Sequence, residues 1–434
     1  MPISPLSGEA GPRPCIGLPS VPNEEKTGIA LRNMPYPYRA MLAICSDLDE
    51  TADRHVYWRI IQFLNTTQST TMGPGVGLET GNSIYFDMRE GFAYWTTDDA
   101  GRAMIRDLIR SGHIDCLHSF GDSATTRSHA ARALDELSRN GCWIQVWVDH
   151  AVAPTNFIAD IMDGHGDEAG HPAYHADLTT AYGIRYVWRG LVTSVVGQEV
   201  PARLSGLWTL RHPIRSARTV SKEAVKQLLA RRGHTKFGPH AGNRVLQTTA
   251  LRDGWAVYEF LRANPYWGGV ASGDTGRDIG AVLRPGMLHR LVRRGGVCLL
   301  YTHLGKCSSP DRPFGPEAVA GLRRLADEYQ RGRILVTTSL RCLRYVTVRQ
   351  QISWTVRKDA VGIVIEISTN QSDPRLHRIS ANDMEGLTFY VPVGVTARIE
   401  VDGSPVPSIQ TNFRDETGRS SIMLPWSRLP FPPI

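Results

Sequence analysis

Ala40-Met41-Leu42-Ala43-Ile44-Cys45-Ser46-Asp47-Leu48-Asp49 is the stretch that decides the fold. A short run of small and apolar residues ending abruptly in polar ones reads as a strand buried on both faces, as in a parallel sheet covered by helices. A helix follows over 52–64, where Val56, Ile60, Ile61 and Leu64 recur at helical spacing. The alternation then repeats along the chain. Run 76–87 precedes helix 97–111; His113–Leu117 precedes helix 124–140; run 142–148 and helix 173–182 precede Ile184–Trp188. After an irregular stretch come Trp255–Phe260, helix 279–294, Val297–Tyr301, helix 315–331 and Ile334–Val336. Strand and helix signals in alternation predict an α/β fold with a parallel sheet. Roughly eight such units suit a (β/α) barrel, irregular with seven or eight strands, better than an open doubly wound sheet.

The flanks read differently. Residues 1–38 are rich in Pro, Gly and Ser without apolar periodicity and are expected to form a flexible N-terminal arm. Residues 39–349 are the barrel. From 350 to 434 the segments Trp354–Val356, Gly362–Ile367, Leu387–Val391 and Ala397–Val401 predict a small antiparallel β domain, a sandwich.

Composition excludes several classes. With 434 residues and 41% hydrophobic, the chain is globular rather than disordered or fibrous. No run approaches the roughly 18–20 apolar residues of a membrane helix. A secretory pattern is missing at the N-terminus, so the expected location is cytoplasmic. The net charge of +7 is carried by scattered arginines rather than one basic stripe, which argues against nucleic acid. The seven cysteines form no Cys-x-x-Cys pair; Cys45, Cys116, Cys142 and Cys298 lie in apolar runs and read as small buried residues of a reducing compartment. Oligomeric state is not legible.

In a barrel, chemistry gathers at the carboxyl ends of the strands. Those positions hold Asp47 and Asp49, Glu79, His118 and Asp122, Asp149 and His150, Arg185 and Arg189, Glu259 and Arg262, and His303. Paired carboxylates separated by one residue can divide the work of base and metal ligand; the bland alternative is that Asp49 or Thr51 caps the next helix. His118 and Asp122, four apart, can share one ion where the chain enters a helix, unless Asp122 simply caps helix 124–140. Leu299-Leu300-Tyr301-Thr302-His303 delivers a histidine suited to general acid work. Glu79, Asp149, His150, Arg185, Arg189, Glu259 and Arg262 are the candidate substrate-binding groups. The segment 233–250 and the His165, His171 and His175 stretch read as surface loops.

Together these motifs resemble the polysaccharide deacetylase superfamily, metal-dependent amidases and esterases built on an irregular (β/α) barrel. Asp47-Leu48-Asp49 is similar to its first motif, His118-Ser119-Phe120-Gly121-Asp122 to its His-Ser-x-x-His with Asp in place of the second histidine, and Leu300–His303 to its late apolar-x-His. The resemblance implies a carbohydrate substrate, loss of an N- or O-acetyl group, and a divalent metal, zinc favoured, on Asp49, His118 and Asp122. It makes Asp47 the base and His303 the acid. The family's arginine-proline motif is absent at its usual place, with Arg185 or Arg189 as replacements. Trp95, Trp147, Trp188 and Trp267 are candidates for stacking on sugar rings. Two other readings stand beside it. Asp47-Leu48-Asp49-Glu50-Thr51, with Asp274 and Asp278, also resembles the motifs of haloacid dehalogenase-like Mg²⁺-dependent phosphatases. The lost histidine also fits a non-catalytic, glycan-binding barrel.

Overall fold

The computed structural model describes residues 28–47, 51–158, 163–208, 210, 212–265, 273–369 and 379–433. Asp49 and Trp267 therefore lie outside the described residues, as do Cys15 and the first 27 positions of the arm.

In chain order the elements are β1 (Ala30–Leu31), β2 (Ala40–Ser46), α1 (Arg54–Asn65), β3 (Ser69–Thr70), β4 (Gly73–Pro74), β5 (Gly81–Ile84), α2 (Asp99–Arg110), β6 (Ile114–His118), α3 (Arg127–Arg139), β7 (Val146–Val148), α4 (Ala176–Tyr182), β8 (Tyr186–Trp188) and β9 (Val192–Thr193). Then come α5 (Pro213–Arg231), α6 (Gly238–Gly242), β10 (Leu246–Ala250), β11 (Ala256–Phe260), β12 (Arg262–Ala263), α7 (Ile279–Val282), α8 (Pro285–Arg294), β13 (Val297–Thr302), α9 (Pro316–Gln330), β14 (Ile334–Thr337) and α10 (Ser339–Gln351). The C-terminal strands are β15 (Ser353–Lys358), β16 (Ile363–Ser368), β17 (Thr388–Val391), β18 (Ala397–Val401), β19 (Ser404–Pro405), β20 (Gln410–Asn412) and β21 (Ser420–Met423).

The central sheet runs β10-β11-β8-β7-β6-β5-β2-β13-β12-β9, with β14 also paired to β2. Only β10 is antiparallel to its neighbour; the other pairings are parallel. β11 pairs with β8 while β12, one residue further along, pairs with β13 and β9. The sheet is therefore curled, a parallel-rich half-barrel; its pairings do not establish the complete barrel read from the sequence.

Alternation along each strand sets the two faces. Leu42 and Ile44 of β2, Trp147 of β7, Val187 of β8, and Cys298 and Leu300 of β13 share one core with α1, α2, α3, α8 and α9. Met41, Ala43 and Cys45 of β2, Val146 and Val148, Tyr186 and Trp188, and Val297, Leu299 and Tyr301 share a second core. That second core is completed by Leu343, Tyr345 and Val346 of α10 and by Trp354, Ile365 and Phe389 of the C-terminal strands. The C-terminal strands and β1 form two four-stranded sheets, β15-β16-β18-β19 and β1-β17-β21-β20. They are antiparallel except for the parallel pair β16–β18. β1 comes from the segment read as an arm, where Arg32 also bonds the carbonyls of Met34 and Pro35 and pairs with Asp415.

Local chemistry trims the expected helices. α1 starts at Asp53, whose carboxylate accepts from the N–H groups of His55 and Val56, so neither Asp49 nor Thr51 is its cap. α3 starts at Thr126 in a capping box with His129, so Asp122 caps nothing there. Helix 279–294 is broken before Pro285 into α7 and α8.

Candidate functional site

The row of side chains facing the second core turns polar at the carboxyl ends of the strands. Beyond Cys45 it continues to Asp47, beyond Cys116 to His118, beyond Val148 to His150, beyond Phe260 to Arg262, and beyond Tyr301 to His303. Five titratable groups therefore meet at the carboxyl edge of one face, set there by a period of two.

Asp47 is the best held. Its N–H donates to the Thr302 carbonyl at 2.9 Å. Its two carboxylate oxygens take both terminal nitrogens of Arg262, at 2.6 and 3.1 Å. Both side chains are fully buried, 1% and 0% exposed. Such a pair is retained only with good geometry, because each charge loses its hydration. Burial pulls the Arg262 pKa down, and the adjacent Asp47 carboxylate more than offsets this, so the guanidinium is held charged. Trp188 and Tyr301 lie 4.5 and 5.2 Å from its central carbon. Cys45 accepts from it at 3.4 Å, and the Cys45 and Cys116 sulfurs sit 3.1 Å apart as free thiols.

His118 faces Asp47, with Nδ1 3.7 Å from Oδ1. Ser83 joins them: its hydroxyl reaches the Asp47 carboxylate at 3.3 Å and lies 3.4 Å from His118 Nδ1. The His118 ring stacks on Tyr85 at 4.6 Å and meets the His150 ring edge-on at the same separation. Ser119, next along, is left-handed at φ 50°, and Gly121 at φ 100°. A Cβ on Gly121 would stand 2.2 Å from the Asp87 carbonyl, so this turn requires glycine.

On the other flank, His303 Nδ1 lies 3.1 Å from Asp274 Oδ2 and its Nε2 lies 3.2 Å from the Tyr301 hydroxyl. Its backbone N–H donates to the Asp274 carbonyl at 2.7 Å. Asp274 is fully buried and thus fixes the ring orientation.

Other expected groups have other work. Asp122 bonds His150 Nδ1 at 2.8 Å instead of joining His118 directly. Glu79 precedes β5 and accepts from Thr337 at 2.6 Å, from Arg341 at 2.5 Å and from the Leu429 N–H at 2.9 Å, tying α10 to the C-terminal tail. Asp149 points to the helix-covered face, accepting from Trp147 Nε1 at 2.7 Å and from the N–H groups of Phe157 and Ile158. Burial raises its pKa to about 6 against those hydrogen bonds. Arg185 opens β8 at its amino end, and burial lowers its pKa. Arg189 and Glu259 pair with each other at 2.9 Å. Of Arg185, Arg189 and Arg262, it is Arg262 that is placed on Asp47. Trp147 and Trp188 are buried and Trp95 is packed against Phe86 and Tyr94, so none of the three lies open for a sugar face. The 233–250 and 165–175 stretches are not plain surface loops: His240 and His175 are buried, and β10 joins the sheet.

Ser83, Tyr85 and Tyr301 were not singled out from the sequence, and Asp274 was read only as a phosphatase residue. Tyr301 was recoverable, since it stands two positions before His303 in the same inward row.

No family model matches the chain, and no curated protein matches it. The fold and the edge cluster define an α/β protein with a curled, parallel-rich sheet and a buried group of carboxylates, imidazoles and one arginine at its carboxyl edge. Among the described residues no group of three or more His, Cys, Asp and Glu forms a metal-holding set, and Asp49 stands outside them. The donors that are present, imidazole and carboxylate, are those that zinc and other first-row divalent metals take. His118 and His150 bring two imidazoles, donors of that chemistry, together beside the end of β2. None of the described helices is long and apolar enough to cross a membrane.

Proposed function

We propose that this chain is a metal-dependent hydrolase that removes acetyl groups from a carbohydrate, on an irregular form of the (β/α) barrel. The observation that carries the reading is the pairing of two proton-transfer groups, Asp47 and His303, each aimed by its own buried partner. Arg262 grips Asp47 and Asp274 grips His303. One carboxylate to accept a proton and one imidazole to donate it is what acyl transfer to water requires.

Asp47 takes the proton of the attacking water. Arg262 holds the carboxylate in one orientation and balances the charge that burial strips of hydration. His303 gives its proton to the departing amine or alkoxide, with Asp274 fixing the ring and stabilising its charged form. A divalent metal, when bound, supplies Lewis-acid polarisation of the acyl carbonyl; His118 and Asp49 would hold it. Asp274, which the phosphatase reading needs for Mg²⁺, is instead the partner of His303. The geometry therefore favours the acyl-transfer reading.

The test is acetate release from N- and O-acetylated oligosaccharides by the zinc-loaded chain. The wild type is expected to release acetate. Asp47→Asn and His303→Ala are expected to lose about 10²–10⁴-fold in kcat, the range for a general acid or base. Release unchanged in both variants, with the fold intact by circular dichroism, would sink the assignment.

A further inference from the structure

We propose that His150, held by Asp122, is the second imidazole ligand of the metal, and that Asp122 is not a ligand. The proposal rests on the metal-dependent reading above and assigns its donor set.

The sequence places Asp122 where the resembled family has a histidine, which suggests a carboxylate on the ion. The geometry points elsewhere. Asp122 Oδ1 sits 2.8 Å from His150 Nδ1, a hydrogen bond between a loop residue after β6 and one after β7. The carboxylate is 44% exposed at its side chain, while the imidazole is 14% exposed. The inner of the two is the histidine. His150 is also the one that reaches His118: the ring centroids are 4.6 Å apart and the rings meet at 72°. Tyr85 backs both rings, at 4.6 Å from His118 and 5.0 Å from His150. The backbone behind His150 is braced as well. Its N–H donates to Asn156 Oδ1 at 3.1 Å, its carbonyl accepts from Asn156 Nδ2 at 2.9 Å, and Ala151 takes a left-handed φ of 44°.

This is the arrangement in which a carboxylate orients a metal-binding imidazole. Nδ1–H to the carboxylate fixes the tautomer and directs Nε2 to the ion. The second imidazole thus comes from the loop after β7, and Asp122 keeps a role one bond further out.

Zinc affinity of the full-length chain, measured by competition with a chromophoric chelator, tests this. The variants are His118→Ala, His150→Ala, His150→Gln, Asp122→Ala and Asp122→Asn, each checked for folding by thermal melting. His150→Ala and His150→Gln are expected to weaken zinc as severely as His118→Ala. Asp122→Ala and Asp122→Asn are expected to weaken it by about 10–100-fold, the range for an orienting partner. X-ray absorption at the zinc edge of the wild type provides a readout that needs no variant, with two imidazoles expected. If His118→Ala loses zinc while His150→Ala keeps wild-type affinity, or if the spectrum holds one imidazole, this assignment is overturned and the metal reading stands. If the wild type binds no zinc above the affinity of His118→Ala, both fall together.

Discussion

Arg262 carries the largest single consequence for one residue. Replacing it with Leu leaves the buried Asp47 carboxylate without a counter-charge, and removing one partner of a buried pair costs about 3–5 kcal/mol. Urea unfolding of Arg262→Leu is expected to show that loss, and the Asp47→Asn, Arg262→Leu double variant to recover part of it; independent, additive losses would argue against the pairing. Buried histidines set a second expectation. His175 is fully buried between the Thr155 carbonyl and the Thr179 hydroxyl. Burial lowers its pKa to about 4 from an unfolded value near 6.5. The unfolded chain therefore binds a proton between those values that the folded chain refuses. The stability that neutral His175 contributes is complete above about pH 6.5 and is lost as pH falls towards 4, by about 3 kcal/mol at most. Asp149 and Asp115 act with the opposite sign, because burial raises them to about 6 and about 7 and their contribution is lost as pH rises. Melting temperature against pH for His175→Gln should be flatter between pH 4 and 6.5 than for the wild type. An identical profile would contradict the burial argument.

Elements meet closely where side chains vanish. Gly280 in α7 and Gly321 in α9 face each other, and a Cβ on Gly280 would lie 2.4 Å from the Glu317 carbonyl. Backbone cannot yield as a flexible side chain does, so Gly280→Ala is expected to destabilise by about 1–3 kcal/mol in chemical unfolding; a neutral result would mean that the helices slide apart freely. At this scale the sequence was legible where a strand is a continuous apolar run and its helix is amphipathic. Ala40–Ser46, α2, α3 and α9 sit within a few residues of their expected positions. Three helices escaped, the five-residue α6 among them. In α10 the run Tyr345-Val346-Thr347-Val348 is β-branched and aromatic, which reads as strand; its helical form is fixed instead by burial against the second core and by Asp115, whose carboxylate takes the Leu340 N–H at 2.6 Å. In α5 few residues are buried, so no strong apolar stripe announces it. Periodicity along the strands was enough to bring Asp47, His118, His150, Arg262 and His303 to one edge. It could not say which carboxylate meets which imidazole, because Asp122–His150 and Asp274–His303 join loops that only the tertiary fold brings together.

For the whole molecule, the two cores explain why the site stands where it does. Helices cover one face of the curled sheet, while α10 and the C-terminal sheets fill the other. The inward rows are thus largely apolar along the strands and turn polar at their carboxyl ends, where Asp47 and its neighbours stand. The C-terminal strands read as a separate unit are in this sense part of the site's support. They supply Trp354, Ile365 and Phe389 to the same core as Cys45 and Tyr301. The arm contributes β1 to the same assembly. The central claim is that the groups gathered at this edge are one metal-assisted active site. Anomalous diffraction at the zinc edge from crystals of the zinc-loaded chain tests it most directly. The account predicts one strong peak about 2.0–2.1 Å from a nitrogen of His118, beside Asp47. A zinc ion bound only elsewhere on the chain, with His118 bearing none, would contradict it.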